Sequence, residues 1–367
     1  MWTPRNSFIV TPVTPYTQPA SNVLSAQTLE YRIRPTRARL EGLLFQFVLT
    51  TNNNVACNAE GMAGLVEEVS VELADGLGSG LRTVVKASGP ALIDWARANG
   101  WKQDGLSALS HCLGMTYANT LSYLVTVPIL FRHPLFNEPK AILTSIPMYG
   151  KYVSEDMVVR IKLRASTAIS ATATPFASAY PYLHALFRKV TPASEAAFPG
   201  YIPSEFREEV FYPQATGEQV YNLQPGGFLT GVVMRNHTTN AYSSSQAVAG
   251  FVNAGATGAI ASSYSGKIWL KYGQEILQEF NEAQMLALNA ATARNEFSAN
   301  ASSGLFVPGN ALYLDLLADF ADTDASSIAT VLNLNPIANG GDRAQIVFKD
   351  WLNANRSEEH TSELQSH

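Results

Sequence analysis

One order of elements runs through this chain twice, and it limits the fold more than any motif does. In the first half, Gly42–Thr50 is a β-rich apolar run long enough for a buried strand, followed by a loop with Asn52, Asn53 and Asn54. Val66–Leu73 then alternates apolar with polar residues, the period of a half-buried strand, and Asp75-Gly76 supplies turn chemistry. Leu81–Lys86 reads as another strand. Behind it, Ser88 or Gly89 can cap a short helix, with Pro90 suited to its first position and Gly100 to the residue past its end. Leu92, Ile93 and Ala96 give that helix an apolar face. Strands resume at Leu121–Phe131, Ala141–Ile146, Met157–Leu163 and, after an uncharged Ala/Ser/Thr stretch over 165–181, at Leu183–Val190.

The second half repeats the order. Gly226–Met234 matches the strand that starts at Gly42, and a loop without a charged residue runs from Thr238 to Gly266. Lys267–Gly273 reads as a strand ending in a turn. Ile276, Phe280, Ala283, Ala287 and Ala291 recur at helical spacing and predict a helix. Strands follow at Ala311–Leu317, Ala329–Leu334 and Gln345–Phe348. Corresponding elements lie about 185–200 residues apart, a duplication that points to two copies of one all-β domain with short helices in inter-strand loops. The boundaries expected are an extended arm over 1–28, a first domain over 29–190, a Pro-punctuated linker over 191–205 and a second domain over 206–355.

The arm carries Pro4, Pro12, Pro15 and Pro19, with Arg5 as its only charge, and is expected to have little structure of its own. Tyr31 and Ile33 then alternate with Arg32 and Arg34, and Arg37 and Arg39 extend the basic run. Two readings stand: a strand with one solvated face, or a basic arm turned toward an acidic surface such as genome, lipid headgroups or a neighbouring subunit.

Charged residues make up 15% of the chain, against roughly 25% in an ordinary globular protein. Two readings fit that deficit: a large, neutral β-protein, or a surface much of which is covered by other subunits, since interface cores are depleted of charge. No apolar run reaches the ~18 residues of a membrane-spanning helix. No secretory leader is expected, and Cys57 and Cys112 are expected to be free thiols of a reducing compartment.

No constellation selects an enzyme. His111, His133, His184 and His237 lack zinc-ligand spacing, and Gly76–Gly80 lacks the Lys-Ser/Thr of a phosphate loop and reads as a hairpin loop. No G-x-S-x-G elbow is present. Asp315, Asp319, Asp322 and Asp324 form the best metal candidate, because clustered carboxylates suit Ca²⁺, but their spacing is not that of an EF-hand and a solvated acidic loop is the favoured reading. A glycoside hydrolase would need two carboxylates facing each other across a cleft; Glu67-Glu68 and Glu208-Glu209 sit in strand-like contexts where solvation is the default reading. No cofactor is expected.

Leu40–Phe45, Lys86–Leu92 and Ala311–Leu317, in this tandem all-β arrangement, resemble the double jelly-roll major capsid proteins of tailless icosahedral viruses, bacteriophages among them. The resemblance spans about residues 28–352 and involves no signature motif. It implies two jelly rolls per chain, homotrimers with pseudo-hexagonal outlines, and icosahedral shells built from neighbouring capsomers. It further implies synthesis in the host cytoplasm, residence in the virion, no enzymatic activity and no small-molecule substrate. On that pattern the 238–266 loop is a tower or inter-subunit loop. Residues 1–39 become a basal arm, with Arg32, Arg34, Arg37 and Arg39 as contacts to vertex proteins, an internal membrane or genome. The alternative of another class is a carbohydrate-binding β-sandwich of a cell surface or viral tail. Separately, Arg356–Ser366 resembles the in-frame translation of a common sequencing-library adapter, so residues 356–367 are expected to be an artefactual tail replacing the native C-terminus. Without it the formal charge moves from −5 to about −3, a balance that argues against a protein coating nucleic acid.

Overall fold

The computed structural model describes residues 8–14, 25–52, 55–58, 61–74, 81–98, 116–117, 122–131, 144–150, 152–171, 175–192, 201, 204–211, 219–222, 228–237, 248–249, 267–272, 275–281, 284, 298–300, 305–307, 312–315, 321–322, 330–334 and 343–351. The first half forms β1 (Phe8–Val13), β2 (Gln27–Ile33), β3 (Ala38–Thr51), β4 (Val55–Ala56), β5 (Val66–Ala74) and β6 (Leu81–Ala87). Helix α1 (Gly89–Ala98) follows, then β7 (Thr116–Tyr117), β8 (Ser122–Leu130), β9 (Ile146–Pro147), β10 (Met157–Leu163) and β11 (Phe176–Lys189). The second half forms β12 (Ser204–Phe211), β13 (Gln219–Asn222), β14 (Phe228–His237), β15 (Val248–Ala249), β16 (Lys267–Tyr272) and β17 (Glu275–Asn281). It closes with β18 (Ser298–Asn300), β19 (Leu305–Val307), β20 (Leu312–Asp315), β21 (Ala321–Asp322), β22 (Thr330–Leu334) and β23 (Arg343–Trp351).

Two sheets enclose the first core. One has the order β1-β11-β3-β8, with β9 also on β3; the other begins β2-β10-β5-β6. Period-two alternation makes them face each other. On the first, Leu183, Phe45 and Val127 stand in register and are buried; on the second, so do Tyr31, Val159, Val71 and Val85. The outer face of the second sheet carries the charges. Arg160 bonds Glu72 at 2.6 Å and Glu30 at 3.3 Å, Arg32 bonds Glu30 at 3.0 Å, and Lys162 bonds Glu67 at 2.8 Å. Exposed pairs of this kind contribute about 0–1 kcal/mol each, so the buried apolar rows hold the sandwich and the ladder keeps its face wet.

The second sheet does not stop at β6. Val85 and Lys86 pair in parallel with Phe206 and Arg207 of β12, and the sheet continues β12-β23-β14-β15, with β20 and β21 also on β14. Every other strand pairing among the described residues is antiparallel. A sheet of order β13-β22-β16-β17 completes the second half. The architecture is all-β, as expected.

Helix α1 forms where the caps predict it. Ser88 accepts from Leu92 N–H through its carbonyl at 3.1 Å and from Ala91 N–H through Oγ at 3.4 Å. Ser88 is thus the cap, and Pro90 takes the second helical position, where its missing N–H is still harmless. Gly89 is required by space: a Cβ there would lie 2.7 Å from Val66 Cβ and 2.9 Å from the Ala63 carbonyl. Gly89→Ala is expected to destabilise the chain by about 1–3 kcal/mol through overpacking, measured by urea denaturation.

Four expectations are corrected. The 1–28 arm is not without regular structure: β1 pairs along its whole length with β11, from Phe8↔Arg188 to Val13↔Leu183. The expected linker over 191–205 runs into β12, which starts at Ser204. The helix predicted from Ile276 does not begin there. Residues 275–281 are β17, antiparallel to β16 from Tyr272↔Glu275 to Lys267↔Asn281, because a hairpin partner lies two residues upstream. The strand expected over Ala141–Ile146 narrows to the two-residue β9, with 141–143 outside the described residues. Gly100, the 238–266 loop apart from β15, and the tail over 356–367 also lie outside them.

Candidate functional site

The sequence-predicted arginines converge on a groove. Between β2 and β3 the chain turns through Arg34-Pro35-Thr36-Arg37, and Pro35 holds the preceding Arg34 extended. Thr36 N–H donates to the Met148 carbonyl at 2.6 Å and Met148 N–H to the Ala38 carbonyl at 3.0 Å, so the turn is tied to the β9 segment, and Ala38 N–H closes back on the Thr36 carbonyl at 2.7 Å. Strand β1 passes beside it along the edge of its sheet. The resulting groove of about 680 Å³ is lined by Thr11, Pro12, Val13 and Thr14 of the β1 segment, by Arg32, Ile33, Arg34, Thr36, Arg37 and Ala38, and by Phe187 and Lys189 of β11. Arg32, Arg34 and Arg37 are therefore together, as the basic run suggested.

Arg39 is not with them. It is 2% exposed and donates to the Ser145 carbonyl at 3.4 Å. The alternation that exposes Arg32 and Arg34 breaks across the turn, so counting basic residues along the run overstates the exposed charge. Lys189, absent from the sequence-derived set, takes its place in the groove. Its only sequence signal is the Arg188-Lys189 pair at the end of a strand-like run. Arg188 itself turns inward and pairs with Glu41, both buried. Glu41 is the extra residue of a β-bulge, where Leu40 faces Phe187 and Gly42 faces Leu186.

The other candidates scatter. Asp315 ends β20 and Asp322 ends β21, opposite Gly231 and Phe228 of β14; Asp319 and Asp324 lie outside the described residues. No group of three or more metal-ligating side chains gathers among the described residues. Glu208 accepts from Ser88 N–H and, at 3.1 Å, from Ser88 Oγ, tying β12 to the start of α1. Burial raises the Glu209 carboxyl above the usual carboxylate range, against the opposing pull of Arg207. Adjacent on one strand, the two point to opposite faces. His184 stacks on Tyr182, ring centroids 6.5 Å apart, as a half-buried side chain of the sheet. Burial pushes the half-buried Cys57 thiol up to about 12. No described helix is long and apolar enough to cross a membrane.

No protein-family model and no curated protein matches the sequence. Solved structures do. The major capsid protein of Sulfolobus turreted icosahedral virus superimposes with a TM-score of 0.61 at 11% identity, over 96% of this chain and 99% of that one. The PBCV-1 virus capsid structure gives 0.59 at 10% identity, over 96% and 95%. The major capsid protein of bacteriophage PM2 gives 0.55 at 10% identity, over 95% and 99%. The fold is the double jelly roll. Its solved counterparts are major capsid proteins of tailless icosahedral viruses, and at such identities the fold is what this chain has in common with them.

Proposed function

We propose that this chain is a structural subunit of an icosahedral virus shell, made in a host cell and resident in the virion. The observation that carries the reading is the full-length likeness in fold: nearly all of this chain matches nearly all of several capsid proteins from unrelated sources. A partial match would fit any single β-sandwich; a match of both halves in tandem fits the tandem arrangement itself.

On this reading the function is assembly. The two halves, taken as 29–190 and 206–355, give each chain two similar footprints, so that three chains make a nearly sixfold outline. The β6–β12 pairing locks the halves into one sheet and removes an edge that would otherwise attract stray strands. The low charge content supports extensive contact with neighbouring copies. Residues 1–39 act as the basal arm, with Arg32, Arg34 and Arg37 meeting whatever lies beneath the shell.

The test is expression of residues 1–355, followed by light scattering on a sizing column and electron microscopy. Trimers with a hexagonal outline are expected. A monomer that persists at about micromolar concentration, where even weak specific interfaces associate, and that binds glycans, would overturn the reading.

A further inference from the structure

We propose that β17 of one copy meets β1 of the next edge to edge, repeating between chains the joint that β6 and β12 make within one; the inference rests on the chain being a shell subunit. Its ground is the internal repeat, which the strand pairings carry residue by residue. The sheet β1-β11-β3-β8 has its counterpart in β12-β23-β14-β20, and β2-β10-β5-β6 in β13-β22-β16-β17. The counterparts share their irregularities. Leu40-Glu41-Gly42 bulges against β11 as Leu229-Thr230-Gly231 does against β23, and the extra residue Val84 of β6 matches Leu277 of β17. Aligned on these bulges, the row Tyr31, Val159, Val71, Val85 becomes Tyr221, Leu332, Leu270, Gln278. The row Val10, Leu186, Gly42 becomes Phe206, Lys349, Gly231.

The joint inside the chain pairs Val85 with Phe206 and Lys86 with Arg207, in parallel. Phe206 is the side chain that this joint buries. It is 4% exposed, lies against Trp95, and belongs to the core of the first half although β12 belongs to the second. Its counterpart Val10 holds the same place on β1 and is 53% exposed, because β1 ends its sheet with no strand beyond it among the described residues. In the second half β17 likewise ends its sheet, and Ile276 on it is 46% exposed. Each chain thus holds one completed joint and the two unmatched edges of another, and unpaired edges attract strands. A contact between unlike patches closes into a ring when its rotation allows. With two halves per chain, six such joints close three chains. Transposing the register puts Val10 beside Gln278 and Thr11 beside Glu279, with Val10 entering the neighbour's second half as Phe206 enters the first. Pro12 stands where Glu208 caps α1 through Ser88, so the joint between chains lacks that latch and is the weaker of the two. It can open while each chain stays folded. The arginines of the β2–β3 turn take no part in it.

The test uses the full chain, with its oligomeric state read by light scattering on a sizing column. Val10→Cys with Gln278→Cys in one chain, mildly oxidised, should give covalent dimers and trimers on a non-reducing denaturing gel. Neighbouring strands lie about 4.8 Å apart, within the reach of a disulfide. Each single variant, which keeps Cys57 and Cys112, supplies the background. Val10→Cys with Lys162→Cys should add nothing to it, because Lys162 lies on the charged outer face. Independently, Val10→Asp should weaken trimer assembly about tenfold or more, since it buries an unpaired carboxylate at the joint. The melting temperature of the dilute, separated chain should hold, Val10 being half exposed there. Trimers that give no cross-link above background, or that tolerate Val10→Asp, overturn this joint and leave the shell-subunit reading standing. A wild-type chain that stays monomeric overturns both.

Discussion

Replacing Arg188 with leucine should destabilise the chain by about 3–5 kcal/mol, more than any surface substitution, because it takes a charged partner from a buried carboxylate, that of Glu41. Arg188 is 5% exposed and Glu41 6%. The carboxylate sits at the bulge of β3 and is buried, with little water to take over the lost partner. Arg39 stands opposite Arg188 in the strand register and donates to the Ser145 carbonyl. The same logic makes a second, sharper result. Replacing both members, Glu41→Leu with Arg188→Leu, should recover most of the loss, since the charge left stranded by the single change is gone. Urea denaturation of the two single variants and the double variant measures this directly. A single variant within about 0.5 kcal/mol of wild type, the range of ordinary surface changes, would mean that water reaches Glu41.

Trp95→Ala should have a comparable effect, about 3–5 kcal/mol, for a different reason. Trp95 is 3% exposed on α1 and its ring lies 5.3 Å, tilted, from that of Phe206 on β12, which is 4% exposed. Truncation opens a cavity where helix, first core and β12 meet, and it forfeits an aromatic contact of about 0.5–1.5 kcal/mol. The loss falls beside the Ser88–Glu208 bonds and the short parallel β6–β12 pairing, which involves only Val85, Lys86, Phe206 and Arg207. The joint between the halves should therefore loosen before either sandwich does. Limited proteolysis between residues 190 and 204 should accelerate in Trp95→Ala, while Trp95→Phe keeps most of the packing and stays close to wild type. Equal proteolysis of all three chains would place the strength of the joint elsewhere.

Much of the first half was legible because its information is local. Alternation over Val66–Leu73 and Met157–Leu163 marks β5 and β10 to within a residue, and the bland reading of Tyr31 and Ile33 as the inner face of a strand agrees with their burial. Ser88 and Pro90 announced α1. Local information also misled. The helical spacing from Ile276 is real, yet β16 offered 275–281 a strand partner across a short connection, and pairing prevailed over periodicity. Arg32, Arg34, Arg37 and Arg39 look equivalent as a run, and the structure buries the last of them.

By itself, the sequence determined that this is an all-β chain with a tandem arrangement, where its strands alternate, and that basic side chains cluster before β3. Those properties belong to the period of two and to residues near one another along the chain. Only the tertiary structure decided that Phe8–Val13 would lie against β11, that Glu41 would meet Arg188, that Glu208 would hold Ser88, and that Lys189 would complete a groove begun at Arg32. Each of these joins residues more than a hundred positions apart. Sheet pairing is non-local, so which charge finds which partner is settled when strands are brought side by side, and by nothing written within any one of them.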